Sequence, residues 1–338
     1  MSFHRGTQMD HLVELEVVTG TGEKITCSPT VNSEMFDAVR ATHGQFAIIT
    51  KAKIPLEPAP ESVRMVQAAY GSVTDLLDDI NRLSKNHEVD LIHGFAAEKT
   101  PQSVMTRMNS TDSMNLDLQV VESALNDVEG NWVYNLEISD LQGHGLKGPR
   151  VDLSQLNHLP GCIDVWEISW KEFCFRLPPL IIEEQLQGAA PHPEITVFVP
   201  FNEEGIDLMN AEFDRIHPIE DIGGGPVLFF PLNSKLITAP YLRLPEIERS
   251  FFLGLLRRAD PPTQDRIAEQ INDNESLYER ILEVGGVRYL PDTLPENIDF
   301  WRHHFGAQWP ELMKLKSRFD PDGILTGSFG QYLVSSND

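Results

Sequence analysis

The sequence feature that most limits the possible folds is a regular alternation of apolar and polar residues over residues 12–27, broken once by a Thr-Gly-Thr-Gly turn. Alternation of this kind on both sides of a glycine turn is typical of a β-hairpin. Residues 32–40 then have the apolar spacing of a short helix, which Asn32 or Ser33 can cap. Residues 46–56 return to a strand pattern that closely spaced prolines end. The opening segment therefore predicts a hairpin, a helix and a further strand.

From residue 63 onward, strand and helix patterns follow one another without an internal repeat. The predicted strands are residues 66–70, 89–96, 131–138, 195–200 and 227–232. The predicted helices are residues 72–85, 203–216, 246–258, 262–284 and 300–319, the last interrupted near Gly306. Residues 142–161 have little periodicity and are expected to be loop. These patterns predict an α+β fold in which helices cover a mixed or antiparallel sheet.

The charge of the chain excludes some partners. Its 338 residues include 27 Lys and Arg against 51 Asp and Glu, a formal charge of −24. A surface this acidic repels phosphate backbones and anionic lipids, so we expect neither nucleic acid nor membrane as a partner. Cys27, Cys162 and Cys174 are too scattered to indicate disulfides or a zinc site, so no metal is expected. Without an apolar run of signal-peptide or membrane-spanning type, the sequence predicts a cytoplasmic protein.

Several short motifs stand in a fixed order along the chain. They are Gln-Phe-Ala-Ile-Ile-Thr at residues 45–50, Pro-His-Pro at 191–193 before Val-Phe-Val-Pro at 197–200, Gly-Pro at 225–226 before Phe-Pro-Leu-Asn at 230–233, and Phe-Asp-Pro at 319–321. In content and order these motifs resemble the cytokinin dehydrogenases, FAD-linked oxidases of the vanillyl-alcohol-oxidase, or PCMH-type, superfamily. The resemblance implies a remnant of the second FAD subdomain at residues 1–62, a substrate domain at 63–298, and a segment at 299–338 that returns to the FAD side. It also implies an FAD-dependent oxidoreductase that acts on a small-molecule substrate.

The same resemblance implies that much of the FAD-binding domain is missing. In the family a preceding segment cradles the FAD, and residue 1 falls where that segment would already have ended. Residues 41–44 read Ala-Thr-His-Gly where the family has Gly-Gly-Leu-Gly, so side chains crowd the flavin side. We therefore expect that the chain does not oxidise a substrate by flavin on its own. We also expect it to form a homo-oligomer or to bind a separately encoded N-terminal FAD-binding fragment, because an uncovered apolar sheet recruits a partner.

The resemblance further implies where a cofactor and a substrate would lie. The expected FAD contacts are Gly44, Gln45, Ala47, Ile48, Ile49 and Gln331. The expected substrate contacts are Thr196, Phe198 and Asn233. Glu194 stands where the family places an aromatic residue, and a carboxylate there suits a general base or a partner for a cationic substrate. His43 and His192 are the candidate acid–base partners, because histidine titrates near neutral pH.

Three functions remain open from the sequence. The first is FAD-dependent oxidation. The second is a cofactor-free isomerase or cyclase that reuses the substrate pocket through Glu194 and a histidine. The third is a non-catalytic binding protein. Among other conspicuous residues, one of His303 and His304 is expected to face the core, and Trp166 and Trp170 are expected to be core residues.

Overall fold

The computed structural model describes residues 2–86, 88–108, 112–143, 146–147, 151–177, 190–290, 293 and 297–334. The opening segment forms strands β1 (Glu14–Thr19), β2 (Lys24–Cys27) and β3 (Ala47–Lys53) and helix α1 (Ser33–Ala38). The three strands make a small antiparallel sheet in the order β2-β1-β3, so the predicted hairpin, helix and strand are confirmed. Asn32 precedes α1, but its side-chain amide donates to the carbonyl of Thr26 and does not cap the helix.

A second, larger sheet takes up the middle of the chain. Its strands are β4 (Ser62–Tyr70), β5 (Leu91–Glu98), β6 (Trp132–Gly143), β7 (Leu146–Lys147), β8 (Ile163–Ser169), β9 (Ile195–Pro200), β10 (Val227–Asn233), β11 (Arg249–Leu255) and β12 (Val287–Arg288). Their order is β12-β9-β11-β10-β5-β6-β4-β8, with β7 paired to β6. Every described pairing is antiparallel. The predicted α+β class is therefore confirmed, and of the two predicted sheet types, mixed or antiparallel, the described sheet is antiparallel.

Helices pack on both faces of the large sheet: a larger set against the face of Val197 and Phe229, and a smaller set against Ala69 and Val133. The described helices beyond α1 are α2 (Val73–Lys85), α3 (Pro101–Met105), α4 (Leu118–Asn126), α5 (Trp170–Phe175), α6 (Glu203–Arg215), α7 (Gln264–Glu283), α8 (Ile298–Phe305), α9 (Trp309–Phe319) and α10 (Gly330–Val334). Alternate strand residues such as Val197, Phe229 and Phe251 are buried with Leu76 of α2 and Leu277 of α7. Burial of this apolar face is the main stabilising contribution to the large sheet.

The prediction of a helix at residues 246–258 is wrong. The segment contains β11, which lies inside the large sheet between β9 and β10. Its short apolar run is buried on both faces, and such a run does not distinguish a strand from a buried helix. The prediction for the two tryptophans is also wrong, because Trp166 lies on β8, Trp170 begins α5, and neither belongs to the buried core.

The C-terminal helices pack on the small sheet. Phe36 of α1, Trp301 of α8, Leu312 of α9 and Phe329 before α10 belong to a second core, distinct from the core of the large sheet. The rings of Trp301 and Phe329 stack with centroids 4.6 Å apart. The predicted break within the C-terminal helix is confirmed by the separation of α8 and α9. The two ends of the chain therefore share one core, while the domain boundaries implied by the resemblance stay predictions.

A buried ion pair lies in this second core. The Nζ atom of Lys316 is 2.6 Å from Oδ2 of Asp320, and the two side chains are 2% and 1% exposed. Lys316 also donates to the carbonyl of Gln45 at 2.9 Å and to the carbonyl of Leu325. Asp320 accepts hydrogen bonds from the backbone N–H groups of Ile324 and Leu325. The pair therefore ties α9 to the loop before β3 and to the C-terminal tail.

The ion pair makes a pH-dependent contribution to stability. Burial by itself raises the pKa of Asp320, but hydrogen bonds from Lys316 and from the backbone of Leu325 and Ile324 outweigh it, so the pKa lies below the ordinary value of 3.8. A carboxyl group with a lowered folded-state pKa stabilises the fold above its unfolded-state pKa. That contribution is lost as the pH falls through the folded-state pKa.

We therefore expect a pH-dependent stability difference between the wild-type protein and Asp320→Asn. The difference in free energy of unfolding should be complete at about pH 6 and should shrink below about pH 4, measured by urea unfolding at each pH. Asp322→Asn, an exposed change two residues away, is the matched control. A difference that stays constant down to about pH 2.5 would contradict this role for Asp320.

Candidate functional site

The face of the large sheet opposite α2, α6 and α7 carries a row of ring side chains. Strand residues alternate between faces, so Phe198 (β9), Phe252 (β11), Phe230 (β10) and His93 (β5) share one face while their neighbours lie beneath the helices. Phe198 pairs with Phe252, and Phe252 with Phe230. Ring centroids are 6.2 Å apart in the first pair, 5.2 Å in the second, and 5.0 Å between Phe230 and His93. We call these four residues the aromatic row, and their rings suit a planar ligand.

The aromatic row ends at a buried carboxylate. Glu137 of β6 lies directly opposite His93 and is 0% exposed. Its Oε1 atom is 2.8 Å from Nη2 of Arg176 and 3.5 Å from Nδ1 of His93. Arg176 offsets the buried charge, and the imidazole ring of His93 lies close to the same carboxylate. None of the three residues was predicted from the sequence, where the only available signal is one acidic residue inside the largely apolar segment 132–138.

A cavity of about 580 Å³ lies beside this ion pair. Its walls include Met65 of β4, Trp166 of β8, Phe175 of α5 and the guanidinium of Arg176. The guanidinium of Arg107 lies over the Trp166 ring, 4.4 Å from its centroid. A volume of this size suits a small organic molecule. The cavity therefore combines an apolar wall with charged groups of both signs, because Lys171, Asp112 and Glu172 also line it.

The predicted substrate contacts separate into two groups. Thr196 and Phe198 lie on the same face of β9, and the ring of Tyr289 is 5.3 Å from the ring of Phe198. The backbone N–H of Tyr289 donates to the carbonyl of Thr196 at 2.9 Å. Asn233 instead ends β10, and its Oδ1 accepts a hydrogen bond from the backbone N–H of Lys235. The structure thus brings Thr196 and Phe198 to the aromatic row, whereas Asn233 caps a local turn.

Glu194 and His192 lie immediately before β9. Nδ1 of His192 is 3.6 Å from Oε1 of Glu194, and the side chains are 30% and 32% exposed. Glu194, Thr196 and Phe198 follow the alternation of the strand and so point towards the same side of the sheet. A carboxylate beside an imidazole, both in reach of solvent, can hold a proton and pass it on. The two residues predicted as an acid–base pair are therefore neighbours.

The loop before β3 has an unusual backbone. The φ angles are 61° at Ala41, 56° at His43 and 74° at Gly44, all in the left-handed region that favours glycine. The pKa of His43 is lowered because neighbouring atoms desolvate its charged form, although part of the side chain still reaches solvent. His43 is therefore neutral near pH 7 and can accept a hydrogen bond or a proton.

The predicted FAD contacts differ in burial. Four lie at the surface: Gly44, Ile48, Ile49 and Gln331. A side-chain atom added at Gly44 would meet nothing within 4 Å, so the backbone there is open to a ligand. Gln45 is buried, and its Nε2 donates to the carbonyls of Gly327 and His43. Ala47 is buried in the second core. The side chains of Gln45 and Ala47 therefore pack inside the protein, and their role as cofactor contacts stays a prediction.

The surface next to Gly44 is apolar. β3 is an edge strand of the small sheet among the described strands. Ile48 is 58% exposed and Ile49 is 45% exposed, and Ile54 and Leu56 are exposed beyond them. We call these four residues the apolar strip. Exposed apolar surface of this kind marks a place that a ligand or another segment covers. Because Ile48 and Ile49 are neighbours in β3, they point to opposite faces of the strand, so apolar surface is exposed on both sides of this sheet edge.

The fold is similar to that of VAO-type flavoproteins. A VAO-type flavoprotein from Myceliophthora thermophila, MtVAO615, superposes with a TM-score of 0.59 at 15% identity, covering 93% of this chain and 55% of that one. The glucooligosaccharide oxidase of Acremonium strictum gives a TM-score of 0.57 at 14% identity, covering 95% of this chain and 66% of the oxidase. At such identities the likeness shows a shared fold.

Sequence comparison narrows this class to one family. Residues 60–333 match the family model described as cytokinin dehydrogenase 1, FAD and cytokinin binding. The chain belongs to this family of FAD-dependent oxidoreductases. Cytokinin dehydrogenase 5 of rice is 31% identical over 97% of this chain. An uncharacterized oxidoreductase, ORF5 in the fasciation locus of Rhodococcoides fascians, is 30% identical over 96% of this chain and 67% of its own length.

The chain is shorter than its relatives. It spans 63% of the rice cytokinin dehydrogenase 5 and 62% of the rice cytokinin dehydrogenase 9. What those whole proteins bind and oxidise is therefore carried over to this chain only as a proposal.

In the described part of the chain, no helix combines the length and apolarity needed to cross a membrane.

Proposed function

We propose that this chain is the substrate-facing part of an FAD-dependent oxidoreductase and that it holds flavin only when an FAD-binding segment covers the small sheet. That segment comes from the same polypeptide or from another one. The observation that carries the proposal is the apolar strip, which lies uncovered beside the open backbone of Gly44. Family membership supports the cofactor. Bound FAD would supply a hydride acceptor for a carbon next to an amine or hydroxyl group.

The residues of this chain would bind and orient the substrate. The partly exposed rings of Phe230 and Phe252 offer edge and face contacts to a planar ring, while Phe198 and Thr196 are buried. Glu194 provides a negative charge that attracts a cationic amine, and His192 at 3.6 Å can take up or release a proton. These features favour a small planar amine that carries a positive charge.

The test uses the chain supplied with FAD and with the N-terminal FAD-binding segment of a relative. Under anaerobic conditions, a planar cationic amine should bleach the flavin absorbance, and Glu194→Gln should slow the reduction about tenfold by removing a charge-assisted contact. Glu203→Gln, an exposed change on α6, is the control and should leave the rate unchanged. Equal rates of flavin reduction for the wild type and Glu194→Gln would show that Glu194 does not contribute to the reaction.

A cofactor-free isomerase or cyclase is the second candidate. The pair of His192 and Glu194 needs no cofactor to move a proton, and His93 with Glu137 forms a second such pair. Incorporation of deuterium from D₂O into a candidate substrate by flavin-free protein would support this function. Loss of that incorporation in Glu194→Gln, with unchanged binding, would separate it from the third candidate, a non-catalytic binding protein.

Two other expectations stay predictions. The apolar strip can be covered by a second copy of the chain, so we expect association with itself where no FAD-binding segment is present. Gel filtration over a range of concentrations checks this, and a monomer throughout the micromolar range would contradict it. The cytoplasmic location is likewise a prediction from the sequence.

A further inference from the structure

A second cavity, of about 300 Å³, lies between the loop before β3, the end of β12 and α8. Its polar lining includes His43, Tyr241, Arg243, Arg288 and His304. No carboxylate is found among the described residues that line it, although the chain as a whole has a formal charge of −24. Positive and neutral donors are thus gathered in one place on an acidic protein.

His304 is the clearest sign of a ligand in this cavity. Its side chain is 5% exposed, and neither ring nitrogen has a hydrogen-bond partner among the described atoms. Buried polar groups in native proteins are satisfied by protein, water or ligand. Burial, followed by the positive charge of Arg243, lowers the pKa of His304 to about 3. At neutral pH the ring therefore keeps one N–H donor and one acceptor nitrogen.

The two arginines of the cavity differ in their partners. Arg288 is neutralised, because its Nη1 is 2.8 Å from Oε1 of Glu275 and its Nη2 donates to the carbonyl of Thr293. Arg243 has no ion-pair partner among the described carboxylates, and its Nε is buried without a hydrogen bond. The cavity therefore holds about one positive charge that the described protein does not offset.

We propose that this cavity is a binding site for a small organic anion, whose carboxylate pairs with Arg243 and accepts a hydrogen bond from His304. The planar guanidinium suits the two oxygens of a carboxylate. Leu290 and Tyr289 form apolar walls for the body of the ligand, and Tyr289 joins the cavity to Phe198 of the aromatic row. One uncompensated charge matches a monoanion better than a phosphate dianion. The site does not depend on FAD chemistry.

The test is isothermal titration calorimetry of the full chain with benzoate and, separately, with inorganic phosphate. We expect one benzoate site with a Kd of about 1 mM or tighter and weaker binding of phosphate. Arg243→Gln should weaken benzoate binding at least about tenfold, the usual effect of losing a charged hydrogen bond. Arg243→Lys keeps the charge and should retain part of the affinity.

The matched control is Arg302→Gln, an exposed arginine on α8 that does not line the cavity. It should bind benzoate like the wild type. Three results would overturn the proposal: no saturable binding below about 10 mM, equal affinity in Arg243→Gln, or displacement of benzoate by FAD. The last result would assign the cavity to the cofactor. Each variant is first checked for an unchanged melting temperature, so that a folding defect is not mistaken for lost binding.

Discussion

Replacing Lys316 with methionine is expected to lower the free energy of unfolding by about 3–5 kcal/mol, because removing one partner of a buried ion pair leaves the other charge uncompensated. Asp320 would keep its charge beside the second core while losing a donor at 2.6 Å. The carbonyl of Gln45 would lose its hydrogen bond as well. Methionine is close to lysine in length, so the packing changes little. Urea unfolding followed by circular dichroism measures the change.

Lys314→Met is the matched control for this prediction. Lys314 lies on the same helix, is 76% exposed, and pairs only with the partly exposed Glu311 among the described residues. Surface pairs of this kind contribute little to stability, so the control should stay within about 0.5 kcal/mol of the wild type. Similar losses in Lys316→Met and Lys314→Met would show that the buried pair is not a major contributor.

Arg176→Met is expected to destabilise the protein by about 3 kcal/mol, for the same physical reason at a different place. Glu137 is 0% exposed, and Arg176 is its nearest described cation at 2.8 Å. His93, at 3.5 Å, offsets the charge only if it becomes protonated. The guanidinium also lies 3.9 Å above the ring of Phe173, and methionine retains part of that packing. Thermal unfolding checks the change.

A second substitution separates charge from packing at this site. Adding Glu137→Gln to Arg176→Met removes the buried charge and should recover at least about half of the lost stability. Lys171→Met, an exposed change on α5, should have little effect. If the double variant is less stable than Arg176→Met, the loss comes from packing and the ion pair is not its cause.

Some parts of the fold could be predicted from the sequence and others could not, depending on whether one face or both faces of a strand are buried. The alternation of residues 12–27 is visible because only one face of the hairpin is buried, and the small sheet forms as predicted. β11 is buried on both faces, so its sequence lacks that alternation and looks helical. β8 was missed because its burial alternates weakly beside the partly exposed Trp166. Its place is fixed by pairing with β4, a contact that local patterns do not contain.

The candidate site was predicted only in part. The neighbours Glu194 and His192 could be found because they stand in one motif. Glu137, His93 and Arg176 come from separate segments, and the register of β5 and β6 alone brings the first two together. Both ring nitrogens of His304 lack a hydrogen-bond partner among the described atoms, and this too results from packing among distant segments. Sequence patterns carry information about local faces and not about these long-range contacts.

Under the proposed function, this chain provides the substrate-facing part of a flavoenzyme and holds FAD once an FAD-binding segment covers the apolar strip. The most direct test is the absorbance spectrum of the chain after incubation with FAD and gel filtration, with and without the FAD-binding segment of a relative. We predict co-eluting flavin bands near about 370 and 450 nm only with the segment present. Flavin held by the chain alone would contradict the need for that segment. No co-eluting flavin in either sample would contradict the proposal that this chain forms part of a flavin site.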